Sequence, residues 1–242
     1  MDAIKTVNLS KQYKDVLAVD RLNLEIHPGE FFSLLGLNGA GKTTTVNMLS
    51  CLSRPTSGDA FVGGHSVTQA PQKVKGCIAV SPQETAVAPH LTVQENLELM
   101  GGIYGFSQEK IQKNLHRLAE AVSLQPVLSK KAKTLSGGYA RRVSIAMALM
   151  CEPSILFLDE PTLGLDVLAR QDLWEVLRRL KGQVTVLLTT HYMEEAAALS
   201  DRIGVMKEGR LLAVGTTTEL THRTHTDTLE QAFIALVKEG EV

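Results

Sequence analysis

The sequence lacks several features that mark particular classes of protein. Its formal net charge is only −1, so no excess of positive charge points to a nucleic-acid-binding protein. Cys51, Cys77 and Cys151 are scattered without metal-ligand spacing, and we expect them to be reduced core residues of a cytosolic protein. No apolar run reaches about 18 residues and the first residues hold no apolar signal core, so neither a membrane span nor a secretory signal is expected.

What the chain does contain is typical of a globular protein with a sizeable core. It has 242 residues, of which 44% are hydrophobic and 21% are charged. The densest group of basic residues is local, and we interpret it as a solvated face. It consists of Lys130, Lys131, Lys133, Arg141 and Arg142.

The stretch GLNGAGKTT at residues 36–44 has the form G-x-x-x-x-G-K-[ST], the phosphate-binding loop. Its three glycines let successive backbone N–H groups point inward and form a nest for an anion. Lys42 adds a positive charge for the β- and γ-phosphates, and Thr43 offers a hydroxyl to Mg²⁺. A buried strand is predicted at residues 31–35 and a helix at 42–52, whose positive end would face the phosphates. The sequence therefore predicts a nucleotide site.

Strand and helix patterns alternate along most of the chain. Further strands are predicted at residues 4–9, 19–26, 60–62, 78–80, 155–158 and 184–188, with a hairpin over 203–214. Tyr13 is expected to lie between the first two strands. From residue 92 to 150 helical spacing replaces the strand pattern, with a stripe of Ile111, Leu115, Leu118 and Val122 after a plausible N-cap, Ser107. The prediction is an α/β frame that carries an all-helical insert.

Polar groups follow four of the predicted strands directly. The phosphate loop follows Leu35, Gln83 follows the strand at 78–80, Asp159 and Glu160 follow that at 155–158, and His191 follows that at 184–188. In an open parallel sheet, ligands bind at the carboxyl ends of the strands, so we expect these groups on one edge. A single glutamine or histidine is usually structural, whereas this set beside a phosphate loop favours a functional site.

The two adjacent carboxylates are expected to have different roles. Neighbouring residues that leave a strand point to opposite sides, so Asp159 and Glu160 should not bind one metal together. Asp159, after an apolar strand, suits Mg²⁺ held mostly through water. Glu160 can then face the γ-phosphate and polarise the attacking water.

A second glycine-rich motif, LSGGY at residues 135–139, opens a predicted helix. Ser136 is a good N-cap, and the two glycines leave backbone N–H groups open to an anion. The motif lies on the helical insert, away from the sheet edge, so one explanation is that it serves the nucleotide of a second protomer. From these residues alone, an ordinary capped helix is the simpler interpretation.

Taken together, the motifs resemble those of the ATP-binding subunit of ABC transporters, over essentially the whole chain. GLNGAGKT resembles Walker A, SPQE around Gln83 the Q-loop, LSGGY the signature motif, and ILFLDE Walker B with the catalytic glutamate. Gly164-Leu165-Asp166 resembles the D-loop, and His191 the switch histidine. Tyr13, in KQYKDVLAV, matches the aromatic residue that stacks on adenine. Tyr139 departs from the pattern, since the family most often has glutamine there.

This resemblance implies a fold and a set of roles. The implied fold is a P-loop NTPase core with a mainly parallel sheet, an N-terminal antiparallel β subdomain and an inserted all-helical subdomain. One domain would span residues 1–242, with its α/β core at 1–90 and 151–242 and its helical signature subdomain at 91–150. The implied catalytic residues are Glu160, His191, Gln83 and Lys42. The implied ATP contacts are Tyr13, Asn38, Gly39, Ala40, Gly41, Lys42, Thr43, Thr44, Ser136, Gly137, Gly138 and Asp166. The implied Mg²⁺ ligands are Thr43, Gln83 and Asp159.

The resemblance also implies partners. Two protomers, identical or different, would form a head-to-tail dimer that sandwiches two ATP molecules between Walker A of one and the signature of the other. The dimer would sit peripherally on a polytopic permease at the cytoplasmic face of the membrane, without nucleic acid. THYMEEA at 190–196, residues 90–105 and TLEQAFIAL are most similar to ABC-2 type exporters. After Gln83, residues 84–91 are expected to meet the permease, with Val87 and Leu91 buried only there. A packed internal loop is the alternative.

Three rival functions follow from the same residues. A non-transport ABC ATPase that acts on nucleic acid or ribosomes would usually have a long coiled-coil insertion or two cassettes, and the sequence has neither, nor a basic stripe. A small-molecule kinase would leave LSGGY unexplained. A binding module without catalysis is disfavoured by Glu160 and His191.

Overall fold

A computed structural model describes residues 2–239. Its strands are β1 (Ile4–Tyr13), β2 (Val16–Leu22), β3 (Glu25–Ile26), β4 (Phe31–Leu35), β5 (Ser57–Val62), β6 (His65–Ser66), β7 (Ile78–Ser81), β8 (Ile155–Asp159), β9 (Thr185–Thr190), β10 (Arg202–Lys207) and β11 (Arg210–Gly215). Its helices are α1 (Lys42–Leu49), α2 (Pro71–Lys75), α3 (Val93–Ile103), α4 (Gln108–Ala121), α5 (Gly137–Leu149), α6 (Val167–Arg179), α7 (Met193–Leu199), α8 (Thr217–Thr224) and α9 (Leu229–Glu239). Two 3₁₀ turns, Gln125–Val127 and Ala132–Thr134, precede α5.

The first sheet is antiparallel and has the order β2-β1-β5-β6, with β3 also paired to β1. Its strands differ in extent from the predicted ones. Tyr13 is the last residue of β1, paired with Val16, rather than part of a connection between strands. The tight turn at Lys14, which has φ +49°, lets both strands run further than their hydrophobic alternation indicates.

The second sheet has the order β11-β10-β4-β9-β8-β7, and all its pairs are parallel except β10 with β11. Strands β4, β8 and β9 are buried along their whole length, which explains the consecutive apolar residues that each of them contains. Because β4, β7, β8 and β9 are parallel, the residues that follow them meet at one edge. The predicted fold class, with a mainly parallel core sheet, an antiparallel β part and a helical part, is confirmed.

Helices α3, α4 and α5 form the helical part and share one apolar core with a face of the second sheet. The side chains that meet there include Leu115 and Leu118 of α4, Ile145 of α5 and Leu156 of β8. Ser107 caps α4 as predicted, since its hydroxyl accepts a hydrogen bond from the Lys110 backbone N–H at 3.3 Å. Within residues 2–239, no helix has the length and apolar character needed to cross a bilayer.

Two boundaries near the phosphate loop differ from the sequence-based expectation. The helix after the loop ends at Leu49 instead of residue 52, because Cys51 takes a left-handed backbone conformation with φ +57°. The following turn is also shorter than expected, since β5 begins at Ser57. A Cβ at Gly58 would lie 2.2 Å from the carbonyl oxygen of Asn8, so only glycine allows β5 this close to β1.

Candidate active site

The phosphate loop connects β4 to α1 through glycines that the fold requires. Gly41 has φ +99°, and a Cβ there would lie 2.4 Å from the carbonyl oxygen of Ala18. Gly36 has no such dihedral constraint, but its Cβ would lie 2.4 Å from the carbonyl oxygen of Met206. The loop is therefore packed closely between β2 and the end of β10. The backbone N–H groups of this loop and of the N-terminal end of α1 can donate hydrogen bonds to a bound anion.

Lys42 and Glu160 form a buried ion pair at the base of this loop. Lys42 Nζ lies 3.2 Å from Glu160 Oε1, and it also donates to the carbonyl oxygen of Gly36 at 2.7 Å. Glu160 has φ +48°, and its backbone N–H donates to both oxygens of Thr189 at 3.1 Å. These backbone contacts hold the residue in a conformation that non-glycine residues rarely adopt.

His191 is the second side chain bound to Glu160. His191 Nδ1 lies 2.7 Å from Glu160 Oε2, and the imidazole is partly exposed toward the cleft. A carboxylate can only accept hydrogen bonds, so Nδ1 is the ring nitrogen that carries the proton in this contact. Glu160 is thus held between two donors, one on each carboxylate oxygen.

Asp159 faces a different set of partners. Its Oδ1 accepts hydrogen bonds from Thr43 Oγ1 at 3.2 Å and from Thr189 Oγ1 at 2.5 Å. The two adjacent carboxylates therefore point to separate groups, as the alternation of a strand predicts. A hydroxyl and a carboxylate oxygen side by side next to a phosphate loop are hard oxygen ligands that suit Mg²⁺.

A cleft of about 710 Å³ is lined by the phosphate loop, Glu160 and His191, and Asp159 lies next to it through its hydrogen bond with Thr43. Ten predicted site residues line it: Asn38, Gly39, Ala40, Gly41, Lys42, Thr43, Thr44, Gln83, Glu160 and His191. The structure thus brings together the strand-end groups that the sequence predicts on one sheet edge. Val16 and Leu17 of β2 also line the cleft, and both are exposed, at 65% and 47%. Sequence reasoning missed them, because exposed apolar residues cannot be told from core residues before the fold is known.

The remaining predicted ATP contacts do not line this cleft: Tyr13, Ser136, Gly137, Gly138 and Asp166. Tyr13 is exposed, and its hydroxyl lies 3.5 Å from Ser53 Oγ. Asp166 is exposed and caps α6, since its Oδ1 accepts from the Ala169 backbone N–H at 2.8 Å.

The signature motif opens α5 within the helical part. Ser136 occupies the N-cap position, but its hydroxyl makes no cap hydrogen bond, so the expected side-chain cap is wrong. A Cβ at Gly138 would lie 3.2 Å from Ala169 Cβ, and one at Gly137 would lie 3.3 Å from Leu165 Cδ2. The two glycines therefore allow the signature to pack closely against the segment that leads into α6.

The predicted basic face is only partly solvated. Lys130, Lys131 and Lys133 are exposed, whereas Arg141 and Arg142 are buried in α5. Arg141 donates to the backbone carbonyl oxygens of Pro82 at 2.6 Å and Gln83 at 2.5 Å. Burial lowers the pKa of Arg141, and the negative charge of Asp159 opposes that shift. The expectation of a solvated face is wrong for Arg141, because the pattern of charges in the sequence does not reveal its buried carbonyl partners.

Arg142 has different partners from its neighbour. Its guanidinium lies 5.2 Å from the ring centre of Tyr139, and its NH2 group lies 3.1 Å from Asp172 Oδ2 on α6. The unusual aromatic residue of the signature thus packs on an arginine that is itself tied to the next helix.

Glu195 of α7 is a fully buried carboxyl behind this site. The Trp174 indole N–H donates to its Oε1 at 3.2 Å, while Oε2 has no hydrogen-bond partner among the described residues. Burial raises the pKa of Glu195, and the hydrogen bond from Trp174 opposes that shift. No pattern in the sequence distinguishes it from the exposed Glu194 beside it.

Comparisons with known proteins identify the family of the chain. Residues 19–163 match the family model described as ABC transporter. The chain is 44% identical over 90% of its length to the daunorubicin/doxorubicin resistance ATP-binding protein of Streptomyces peucetius, and it covers 66% of that protein. It is 38% identical over 98% of its length to the linearmycin resistance ATP-binding protein of Bacillus subtilis, of which it covers 76%.

Among solved structures, the chain is similar to a dimeric ATP-binding cassette in a post-hydrolysis state with ADP and Pi bound. The TM-score is 0.77 with 30% identity, over 88% of this chain and 98% of the other. The chain thus spans nearly all of that cassette, but just under two thirds of the Streptomyces relative.

Proposed function

The chain belongs to the ABC transporter family, and we propose that it is an ATP-binding subunit whose ATPase activity powers export through a separate membrane permease. The observation that carries this function is the convergence of Lys42, Glu160 and His191 on the phosphate-loop cleft, with Asp159 hydrogen-bonded to Thr43 of the same loop. The export direction is supported by relatives that are named for resistance to drugs and antibiotics. Such names do not favour the alternative, a non-transport ATPase that acts on nucleic acid.

The chemistry that we propose is hydrolysis of the γ-phosphate of ATP. The loop amides and Lys42 would bind the β- and γ-phosphates, and Thr43 and Asp159 would hold Mg²⁺, with Gln83 at the same cleft. Bound Mg²⁺ would neutralise phosphate charge. Glu160 accepts a proton as the water oxygen attacks the γ-phosphorus. The bond from that phosphorus to the bridging oxygen breaks, which yields ADP and phosphate.

The contacts of Glu160 suggest how nucleotide binding would release this base. One carboxylate oxygen pairs with Lys42 and the other with His191. A triphosphate carries more negative charge than a single carboxylate, so it competes for the Lys42 ammonium. Once Lys42 engages the phosphates, Oε1 of Glu160 is free to accept a proton from water. Glu160 would therefore be free to accept a proton only when ATP is bound.

We further propose a head-to-tail dimer in which the signature faces the nucleotide of the partner. The Ser136 hydroxyl is free of a cap bond and exposed, so it can donate to a phosphate. Gly137 leaves the neighbouring backbone accessible. The similar cassette described above is dimeric, which supports this arrangement.

The permease is proposed to dock on α3 rather than on Val87. Val87 is already partly buried against the core of the helical part, so the expectation that only the permease covers it is wrong. Leu99 and Ile103 of α3 are exposed at 47% and 67%. Asn96 on the same helix holds the preceding segment, because it bonds to both the N–H and the carbonyl of Ala88. An exposed apolar pair on a rigid helix is a typical interaction surface.

The function can be tested by co-expression with a candidate permease, meaning any polytopic membrane protein that a neighbouring gene is found to encode. ATP-dependent efflux by the pair is expected, and Ile103→Asp should abolish co-purification while basal ATPase activity persists. Ile234→Asp on α9 is the matched control, since Ile234 is 45% exposed and lies on another surface. Hydrolysis without any permease association in the wild-type chain would contradict the transport assignment. Normal co-purification of Ile103→Asp would move the docking surface elsewhere.

A further inference from the structure

Tyr192 is clamped between two side chains that come from different parts of the chain. Its ring centre lies 4.0 Å from that of His191, with the planes inclined by 40°. On α6, the Arg170 guanidinium carbon lies 4.6 Å from the Tyr192 ring centre. The three groups therefore form a continuous stack from the first turn of α6 to the imidazole that contacts Glu160.

The Arg170 guanidinium has fewer polar partners than that of a fully solvated arginine, so its contact with the Tyr192 ring matters more. Its Nε is buried and has no hydrogen-bond partner among the described residues. The face of an aromatic ring attracts a guanidinium that has lost part of its hydration, so Tyr192 offsets some of that loss. The Tyr192 backbone is also fixed, since its N–H donates to Thr190 Oγ1 at 3.0 Å.

A second contact ties the same face of α6 to the same segment. Trp174 lies one turn after Arg170, and its indole N–H donates to Glu195 Oε1. Residues four apart on a helix share one face. Arg170 and Trp174 together thus hold residues 190–195 against α6. The ring of Tyr192 cannot turn away from His191 without breaking the Arg170 contact.

We propose that Tyr192 is a positioning residue for His191: Arg170 holds its ring, and the ring holds the imidazole where Nδ1 meets Glu160. The imidazole is partly exposed, so without a neighbour on its face it could rotate about its side-chain bonds. When the Tyr192 ring holds the His191 imidazole in this orientation, the proton stays on Nδ1 and Nε2 points away from Glu160. The catalytic part of this inference rests on the proposed role of His191 in ATP hydrolysis, whereas the positioning part does not.

The test compares Tyr192→Leu, which removes the aromatic face, with Tyr192→Phe, which keeps it. Arg170→Met removes the other side of the clamp, and Phe61→Leu is the control for loss of an exposed aromatic ring on β5. Nitrogen NMR of histidine-labelled full chain reports which ring nitrogen of His191 carries the proton. The spectrum of His191→Gln assigns the signal. Steady-state kinetics give kcat and KM for ATP.

We expect Tyr192→Leu to lose the dominant Nδ1-protonated form and to lower kcat about tenfold with KM changed less than about twofold. Tyr192→Phe should keep the Nδ1-protonated form of His191 and a kcat near that of the wild type. Arg170→Met should give intermediate values of both. An unchanged His191 signal in Tyr192→Leu overturns the proposal, whatever happens to kcat. If the signal changes but neither Tyr192→Leu nor His191→Gln lowers kcat, the positioning stands and the proposed catalytic role of His191 fails.

Discussion

Lys42 Nζ lies 3.2 Å from Glu160 Oε1 in a place where both side chains are almost fully buried. The same ammonium binds two carbonyl oxygens of its own loop, those of Gly36 and Leu37. A buried ammonium needs such partners, because desolvation of an unpaired charge costs several kcal/mol. The residue proposed to bind phosphate and the proposed base are therefore in direct contact in this structure.

The first prediction concerns Glu160→Gln. We expect this variant to keep its affinity for ATP but to lose about 10²-fold or more in turnover, since the amide cannot accept the proton. Phosphate release and nucleotide binding should be measured on the same preparation. Glu194→Gln, an exposed change close to His191 in sequence, is the control. Hydrolysis near the wild-type rate would remove Glu160 from the role of base.

The second prediction concerns the signature. In the Glu160→Gln background, ATP should produce dimers, and adding Ser136→Arg should prevent them. The new side chain places bulk and charge where the facing protomer would bind. Light scattering with and without ATP measures the change in mass. Lys133→Arg is a matched control, because it retains an exposed basic side chain before the signature. Dimers that persist with Ser136→Arg would count against the sandwich.

Several residues around the cleft could be predicted from the sequence alone. The phosphate loop, Asp159, Glu160 and His191 were predictable, because each follows a strand and parallel strands end at one edge. The same rule places Gln83 at the cleft. These inferences need only the order of strands and the chemistry of the side chain that follows each one.

Other features depend on packing that no local pattern encodes. Arg141 and Lys133 look alike in sequence, yet only Arg141 finds two buried carbonyl oxygens. Glu195 and Glu194 are neighbours, and only one of them faces Trp174. Such differences arise from which side of a helix meets another element. A charged residue is normally exposed, so the sequence alone gives no reason to expect that Arg141 and Glu195 are buried.

The third prediction concerns Tyr13. If its ring stacks on adenine, Tyr13→Ala should weaken ATP binding about fivefold or more, by analogy with base stacking worth about 1–3 kcal/mol. Tyr13→Trp should be tolerated, since it keeps an aromatic face. Titration with a fluorescent ATP analogue measures the affinity. If Tyr13→Ala binds normally while Leu17→Ala does not, the adenine contact belongs to β2.

The fourth prediction concerns Arg141. Arg141→Met should lower the free energy of unfolding by about 1.5–3 kcal/mol, because two carbonyl oxygens lose a charged donor. Amide exchange should also become faster in residues 84–91, while α1 is unaffected. Arg141→Lys should recover only part of the loss, since an ammonium lacks the guanidinium fork. Lys133→Met is the exposed control. Equal exchange in all variants would show that Arg141 does not hold this segment.

The fifth prediction concerns the pH dependence of stability that Glu195 produces. Burial raises the pKa of Glu195, so the folded state keeps a proton that the unfolded chain releases above about pH 4.3. Above that pH its contribution to stability falls, by at most about 1.4 kcal/mol per pH unit, until the pH passes the folded pKa.

Glu195→Gln removes this titration. Its amide N–H₂ group would occupy the position of Oε2 and lack an acceptor, and the cost of that unpaired donor does not vary with pH. The stability of the wild-type chain minus that of Glu195→Gln should therefore decrease as pH rises from 5 to 8 in urea unfolding experiments. The slope is the informative quantity, because the constant cost cancels from it. Glu194→Gln should show no such slope, since Glu194 is exposed. A difference that is flat or rises with pH would mean that Glu195 is ionised in the folded protein.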